Sequence, residues 1–517
     1  MGLILEHAST EILYIFALAV FSIYWYLTKN YNYWEKRNVP HKRPEFPFGS
    51  TKEIALAKTF TGKAHDNIYN EFPNERYYGI IEFRKPALVI KDPELIKKIM
   101  VKDFQHFVDR PVLMGNPDEY ILKHLLTLKG QEWKEMRSKL TPTFTSGKMK
   151  LMFQLMEKCS EQLKEQIESE IEKNSTIDAK NLLARFTLEI IASCAFGIET
   201  NAIADQNTEF YRIFGKTMKT NMLRYIRRIF LVVFPGLISL LRINLVKPET
   251  RDFVTNLIKD TIEYRKKNNI KRNDFLDLLT NVKPIKSSEE NGHENGERPC
   301  DKSDGLTIEQ MSAQTFVFLI AGFETASSLM SFCLYELARH PKIQERLHRE
   351  VKDAVERNGG KMSYQLLHEM PYLDQVINEA LRLYGTGQVL TRVCTQPYQV
   401  PDSDLLIEMG MKIIIPLFSL HHDPHYYSDP YTFDPERFSD DQVKKRHPYV
   451  FMPFGEGPRN CIGMRFGQTQ AKVGLATVVL NFLVDLSPEQ EVPIAIDNKA
   501  IVMMPAKPVL LMLQKRT

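Results

Sequence analysis

Cysteine is scarce and scattered. Six occur in the 517 residues, Cys159, Cys194, Cys300, Cys333, Cys394 and Cys461, and no two form a C-x-x-C pair. That spacing argues against a disulfide scaffold and a cysteine-rich zinc site, and it points to a reducing compartment. Charge bias is missing as well. The formal net charge is +4, which by itself gives no electrostatic footprint for nucleic acid. No Lys or Arg precedes Lys29, and no small-residue cleavage site follows the first apolar run, so the layout of a cleaved secretory signal is absent. No internal repeat is found. What remains is a balance of 43% hydrophobic and 26% charged residues, which suits a globular core under a solvated surface.

The run 12-ILYIFALAVFSIYWYL-27 carries no charge. As a helix it spans about 24 Å, close to the thinner membrane of the endoplasmic reticulum. Residues 1–30 therefore read as an uncleaved anchor, with Tyr24, Trp25, Tyr26 and Trp34 as an aromatic belt. Lys29, Lys36, Arg37, Lys42 and Arg43 follow, which places the body of the protein in the cytosol. Residues 31–50, ending in 40-PHKRPEFPFGS-50, read as a stiff proline-rich and basic linker. Residues 51–517 then form the body of the protein, which the family resemblance described below implies is a single catalytic domain.

Within that domain, 77–93 reads as a hairpin and most of 95–280 as helices. The apolar run 229-IFLVVFPGLISLL-241, broken at Pro235-Gly236, fits either a buried helix pair or a second membrane-dipping surface. Residues 286–305 are polar and rich in Gly and Asn, which predicts an exposed loop. A long buried helix is predicted over 307–338, opened by a Thr307/Gln310 capping box and closed at His340-Pro341. The next helix stops at Gly359-Gly360, and another covers 372–384. Short strands alternate with turns over 389–417, and β-like patches occupy 493–514.

Four constellations carry chemistry. In 321-AGFETA-326, Gly322, Glu324 and Thr325 interrupt an apolar helix. Buried polar groups need partners, so the reading is either a kinked helix with a satisfied Thr or a local bulge where Thr325 and Glu324 relay protons. In 379-EALR-382, Glu379 and Arg382 share one helical face, and 435-PERF-438 offers Arg437 to the same carboxylate if the segments meet. In 133-WKEMR-137, Trp133 and Arg137 share a face, and both can donate to an anionic oxygen. In 454-FGEGPRNCIG-463, Phe454, Gly457, Arg459 and Gly463 frame Cys461. A metal-bound thiolate suits that setting, because glycines let the backbone approach a flat ligand and turn N–H groups toward sulfur. An ordinary buried cysteine and a nucleophile remain open, although no His base lies nearby in sequence.

Taken in order, 133-WKEMR-137, 321-AGFET-325, 379-EALR-382, 435-PERF-438 and 454-FGEGPRNCIG-463 resemble the cytochrome P450 superfamily of haem-thiolate monooxygenases. The anchor and proline linker are similar to those of its microsomal class. The stretches 133–150 and 449–463 are similar to the branch of drug- and toxin-oxidising enzymes, in particular the insect xenobiotic-metabolising members.

The resemblance implies a mainly α fold with small β-sheets, a triangular prism with haem b between the long helix and the Cys461 loop. It implies Cys461 as axial ligand, with Phe454 and Gly463 shaping its loop. Thr325 and Glu324 become the catalytic pair. Trp133, Arg137, Arg392 and Arg459 become the holders of the haem carboxylates, and Glu379, Arg382 and Arg437 a structural network. Phe316, Ala321, Val389 and Val502 become the substrate wall. The expected reaction is NADPH- and O2-dependent monooxygenation of a lipophilic small molecule, a xenobiotic such as a plant toxin or insecticide or an endogenous lipid. The expected partners are NADPH–cytochrome P450 reductase, with cytochrome b5 as a second candidate, and the lipid membrane of the endoplasmic reticulum; nucleic acid is not expected. Arg465 is a candidate for docking the reductase. The chain departs from the family twice: Ala326 follows Thr325 where many members carry a hydroxyl, and 385-GTGQ-388 replaces the usual proline after Tyr384.

Overall fold

The computed structural model describes residues 2–112, 115–173, 176–218, 221–272, 274–281 and 306–516, so the polar stretch 286–305, with Cys300, lies outside the described residues. In chain order the principal elements are helix α1 (Gly2–Thr28), strands β1 (Tyr77–Glu82) and β2 (Lys85–Ile90), helices α2 (Gly130–Leu140) and α3 (Ser146–Lys173), strand β3 (Thr176–Asp178), and helices α4 (Ala179–Ile191), α5 (Met222–Val233), α6 (Pro235–Leu240), α7 (Pro248–Lys267), α8 (Ile308–Arg339), α9 (Pro341–Arg357) and α10 (Pro371–Leu383). Then come strands β4 (Leu390–Val393), β5 (Tyr398–Gln399), β6 (Leu406–Ile407) and β7 (Lys412–Ile415), helix α11 (Met464–Asn481), and strands β8 (Phe482–Leu486) and β9 (Leu510–Lys515). The chain is mainly helical and separates into two compact units, residues 1–111 with 389–419 and residues 112–388 with 420–517.

The first unit holds α1 and a four-stranded sheet in the order β1-β2-β7-β4. The hairpin expected over 77–93 is there, paired from Tyr77↔Ile90 to Glu82↔Lys85. Residues 11–25 of α1 are exposed, and Glu11–Thr28 is long and apolar enough to cross a membrane. The chain after it departs from the reading as a linker. Gly79 N–H donates to Pro40 O at 2.7 Å, Lys42 N–H to Gly79 O at 3.0 Å and Ser50 N–H to Ile81 O at 2.6 Å. Residues 40–50 are thus strapped along the edge strand β1, whose backbone groups need partners. Trp34 also leaves the expected aromatic belt. It is only 1% exposed, and its Nε1–H donates to Ile80 O at 2.9 Å, because a buried indole needs an acceptor. Tyr24 and Trp25 remain exposed, and the Arg84 guanidinium lies 4.1 Å from the Tyr26 ring.

The second unit is built on α8. Thr307 caps it with the capping box read from the sequence, and His340 ends it. Its composition would also suit a membrane span, but two-thirds of its apolar window, 67%, is buried by protein. Helix α9 stops ahead of Gly359 and Gly360, at φ +70° and +80°. The bulge considered at 321–325 does not occur, since α8 is α-helical throughout. Gly322 has another cause: a Cβ there would sit 2.8 Å from Ile191 Cδ1, so its absence lets α4 and α8 approach closely. Helices α5 and α6 bury Tyr225, Leu231 and Ile238 but expose Leu223, Ile226, Phe230, Leu237 and Leu240. The pair is therefore packed on one face and bare on the other. Strands β3, β9 and β8 form a separate antiparallel sheet.

Candidate active site

The 454–463 loop is closed on itself. Cys461 N–H donates to Phe454 O at 2.8 Å, Gly455 N–H to Met452 O at 2.9 Å and Asn460 N–H to Gly457 O at 3.0 Å. Gly455 and Gly457 sit at φ +69° and +71°, the left-handed region that glycine adopts without strain. The loop presents Cys461 exposed, just ahead of α11, whose N-terminus favours negative charge. The other described cysteines, Cys159, Cys194, Cys333 and Cys394, are buried. Burial pushes the Cys159 thiol up to about 12 and the Cys394 thiol up to about 11, so both stay neutral and inert.

Two arginines fasten this loop to its surroundings. Arg459 is buried; its Nη2 donates to Leu128 O at 2.7 Å and its guanidinium lies 4.2 Å from the ring of buried Trp133. From the other side, Arg137 donates through Nη1 to Asn460 O at 2.8 Å and through Nη2 to Asn460 Oδ1 at 2.7 Å. Trp133 and Arg137, both expected to donate to an anionic oxygen, thus lie on Arg459 and Asn460 respectively. Both amino groups of Arg137 grip the residue before Cys461. Burial lowers the Arg137 pKa, and negative charge on Cys461 opposes that shift.

Helix α8 contributes an apolar wall joined to the loop through Phe144. Ala321 is exposed although Leu319, Phe323, Glu324 and Ala326 around it are buried. Thr325 Oγ1 donates to Ala321 O at 2.6 Å. Glu324 turns to α4 instead: Lys180 Nζ lies 2.6 Å from its Oε1, and Ser328 Oγ donates to the same oxygen at 3.2 Å. Lys180 also donates to Ser327 Oγ at 2.7 Å. Phe144 connects this wall to the cysteine loop. Its ring stacks on Phe318 at 5.6 Å, and it is the nearest group, at 4.0 Å, to a Cβ placed on Gly463. Phe316 is buried against the His124 ring at 6.3 Å.

The residues expected around Glu379 come together, with Glu379 and Arg382 fully buried and Arg437 partly so. Arg382 donates to it twice, Nε to Oε2 at 2.7 Å and Nη2 to Oε1 at 2.8 Å, and Asp434 N–H donates to Oε1 at 2.8 Å. Arg437 Nε stands 3.5 Å away. Burial raises the Glu379 pKa, against the pull of Arg382.

The remaining expected residues are more scattered. Val502 is half-buried, and Met503 N–H next to it donates to Thr386 O at 3.1 Å, which pins the C-terminal segment to 385–388. Arg392 and Val389 belong to the first unit, where Arg392 is buried on β4 and Val389 packs against the cluster of Ile68, Tyr78 and Ile414. The sequence reading missed Lys180, Asn460 and Phe144. Nothing in local spacing marks them, because each meets its partner from a distant segment.

The donor set can be tested against a cofactor. Among the described residues no group of three or more His, Cys, Asp and Glu could hold a metal ion. A metal that brings its other ligands with it, as the iron of a macrocycle does, suits a single cysteine in this setting. An exposed thiol on a glycine-turned loop, buried cationic and indole donors beside it, and an apolar helix wall with an uncovered Ala321 fit such a group.

Fold and site together define a mainly helical protein that presents one cysteine on a fixed loop, linked through Phe144 to a long buried helix. The cytochrome P450 family model matches residues 48–513, and the chain belongs to that family. It is 40% identical over 478 residues to the probable cytochrome P450 6a13 of Drosophila melanogaster, covering 92% of this chain and 93% of that relative. It is 39% identical over 500 residues to cytochrome P450 6a2 of Drosophila melanogaster, covering 94% and 96%. It is 36% identical over 494 residues to cytochrome P450 6A1 of Musca domestica, covering 95% and 94%. The protein is accordingly a haem-dependent monooxygenase that uses O2 and NADPH-derived electrons, with cysteine thiolate ligation of its haem.

Proposed function

We propose that Cys461 is the thiolate ligand of that haem and that the enzyme hydroxylates lipophilic small molecules at the endoplasmic reticulum membrane. The overall reaction is R–H + O2 + NADPH + H⁺ → R–OH + NADP⁺ + H2O. The carrying observation is the exposed Cys461 on a self-closed loop, fastened by Arg137 and Arg459, while the other described cysteines are buried. Bound haem would supply the O2 activation and the electron-rich sulfur ligation that favours O–O cleavage. Phe454 and Gly463 shape the loop. Trp133 and Arg459 would hold the negatively charged groups of the cofactor, and Arg137 would support them by fixing Asn460. Arg392 was expected in the same set, but it lies in the first unit, and the proposal rests on the residues of the second.

Thr325 Oγ1 holds a proton at the Ala321 stretch of α8, and Glu324, once it leaves Lys180 and takes up a proton from water, would pass that proton to Thr325. Glu379, Arg382 and Arg437 fix the end of α10 against 430–437. Phe316, Ala321 and Val502 carry the substrate wall in the second unit, and Val389 is assigned to it by family likeness alone. An apolar wall of this kind suits a plant toxin, an insecticide or an endogenous lipid.

Helix α1 serves as the single anchor, and residues 51–517 act as one catalytic domain in the cytosol. The bare apolar side of α5 and α6 is the second surface suited to lipid. NADPH–cytochrome P450 reductase, and cytochrome b5 beside it, would dock on basic side chains near the thiolate, including exposed Arg465. The test is reconstitution with reductase under ¹⁸O2 and a panel of lipophilic compounds. One labelled oxygen in the product supports the reading. Unlabelled product, or product formed without reductase, contradicts it.

A further inference from the structure

We infer that the recess between residues 425–428 and 434–447 is a second ligand site, built to hold the phosphate group of a small molecule beside the Glu379 network and independent of the haem chemistry. Its volume is about 490 Å³, the scale of a small-molecule pocket and not of a protein docking face. Tyr427, Arg437, Lys445 and Arg446 line it, together with His425 and His447, and all lie in the second unit. The charge beside it does not balance. Arg382 Nε lies 2.7 Å from Glu379 Oε2, and Arg437 Nε lies 3.5 Å from Oε1. Arg446 is the third guanidinium here: the attraction of Glu379 and the repulsion of Arg382 and Arg437 all reach it. Three cations thus share one buried carboxylate, and a guanidinium does not shed its proton to relieve the excess.

Arg446 is held in place by neutral groups. Its Nη2 donates to Arg437 O, and its guanidinium stands 4.9 Å from the Tyr427 ring and 5.1 Å from the Phe438 ring. A guanidinium carries about five N–H donors, so one carbonyl and two ring faces leave it with donors to spare. The carboxylates on the wall are engaged elsewhere: Glu436 pairs with Arg346, and Asp434 Oδ1 accepts Glu436 N–H at 3.1 Å. Tyr427 gives an independent indication. It is only 1% exposed, and its hydroxyl proton has no acceptor among the described residues. Such a hydroxyl is destabilising until an acceptor arrives. A phosphate group answers both needs, because it brings up to two negative charges and several strong acceptor oxygens. A bare ion fills only part of the recess. The rings of His425 and Tyr426, 4.8 Å apart on its wall, offer packing surface to the rest of the molecule.

The test uses the full-length, haem-loaded protein and needs no turnover. Equilibrium dialysis against ³²P-labelled inorganic phosphate, with chloride holding the ionic strength constant, should show a single bound ion per chain. The thermal midpoint should rise by about 2 °C when phosphate replaces chloride, because a ligand that binds only the folded state stabilises it. Adenosine 5′-monophosphate should bind more tightly than the bare ion; equal affinity would overturn the small-molecule part and identify free phosphate as the ligand. Arg446→Gln should weaken phosphate binding about tenfold. Tyr427→Phe keeps the ring, deletes the hydroxyl and should weaken binding several-fold. Lys445→Glu reverses an exposed charge on the wall and should also weaken binding, so it decides the question if Arg446→Gln fails to fold. No bound phosphate in the parent, or parental affinity in all three variants, would overturn the site.

Discussion

At the scale of single residues, the most consequential contact is one between distant segments. Glu324 and Lys180 are both largely buried and face each other at 2.6 Å. Removing one partner of a buried pair strands the other charge, which typically lowers stability by about 3–5 kcal/mol. Lys180→Met should therefore lower the unfolding free energy by roughly 3 kcal/mol, and Lys180→Met with Glu324→Gln should recover most of it. Denaturant titration of the three variants checks this. Thr325→Ala removes the hydroxyl that donates to Ala321 O. It should leave haem bound while product per NADPH falls and hydrogen peroxide rises. Parental coupling in that variant would remove Thr325 from proton delivery. Glu324 and Thr325 were legible in the sequence because two polar residues interrupt an apolar helix. Lys180 was not, since nothing around it departs from an ordinary helix start.

At the scale of elements, what was legible was local. The α8 capping box, the glycine stop after α9 and the β1–β2 hairpin all follow from residues within a few positions of each other. What failed was non-local. The 40–50 segment reads as a linker until β1 supplies backbone partners, and Gly322 reads as a kink or a bulge until Ile191 appears across the helix crossing. The Glu379 network lies between these cases. The E-x-x-R spacing gives the pair, but its burial comes from the 430–437 chain packed over it. Arg382 Nη1 donates there to Pro430 O at 2.7 Å, and also to His421 O at 2.8 Å. Glu379→Gln leaves the buried Arg382 without its counter-charge and should destabilise the fold by about 3–5 kcal/mol. Loss of haem retention on gel filtration should accompany the drop in thermal midpoint.

At the scale of the whole molecule, buried histidines set the acid limit. Burial holds His65 and His124 down to about 4 and His421 down to about 3. In the unfolded chain each titrates near 6.5. The folded state thus binds fewer protons than the unfolded one below pH 6.5. The neutral forms contribute their full stability above that pH, and it is lost as pH falls toward 4. At pH 5 each histidine accounts for about 2 kcal/mol. Thermal midpoints measured from pH 7 to 5 should fall, and His421→Gln should flatten the slope. Membrane attachment separates from folding at the same scale. Deleting residues 2–28 should release the protein from the bilayer and leave it folded, because the Trp34 and 40–50 contacts on β1 remain. Deleting through residue 50 uncovers the β1 edge and should give aggregation, read by light scattering.

The central claim is thiolate ligation by Cys461, and the most direct test is the reduced, carbon monoxide difference spectrum of the full-length protein in membranes, set beside Cys461→Ala. The account predicts the strongly red-shifted Soret band of thiolate-ligated haem in the parent and its complete loss in Cys461→Ala. A folded parent with no haem band, or a red-shifted band that survives Cys461→Ala, would contradict it.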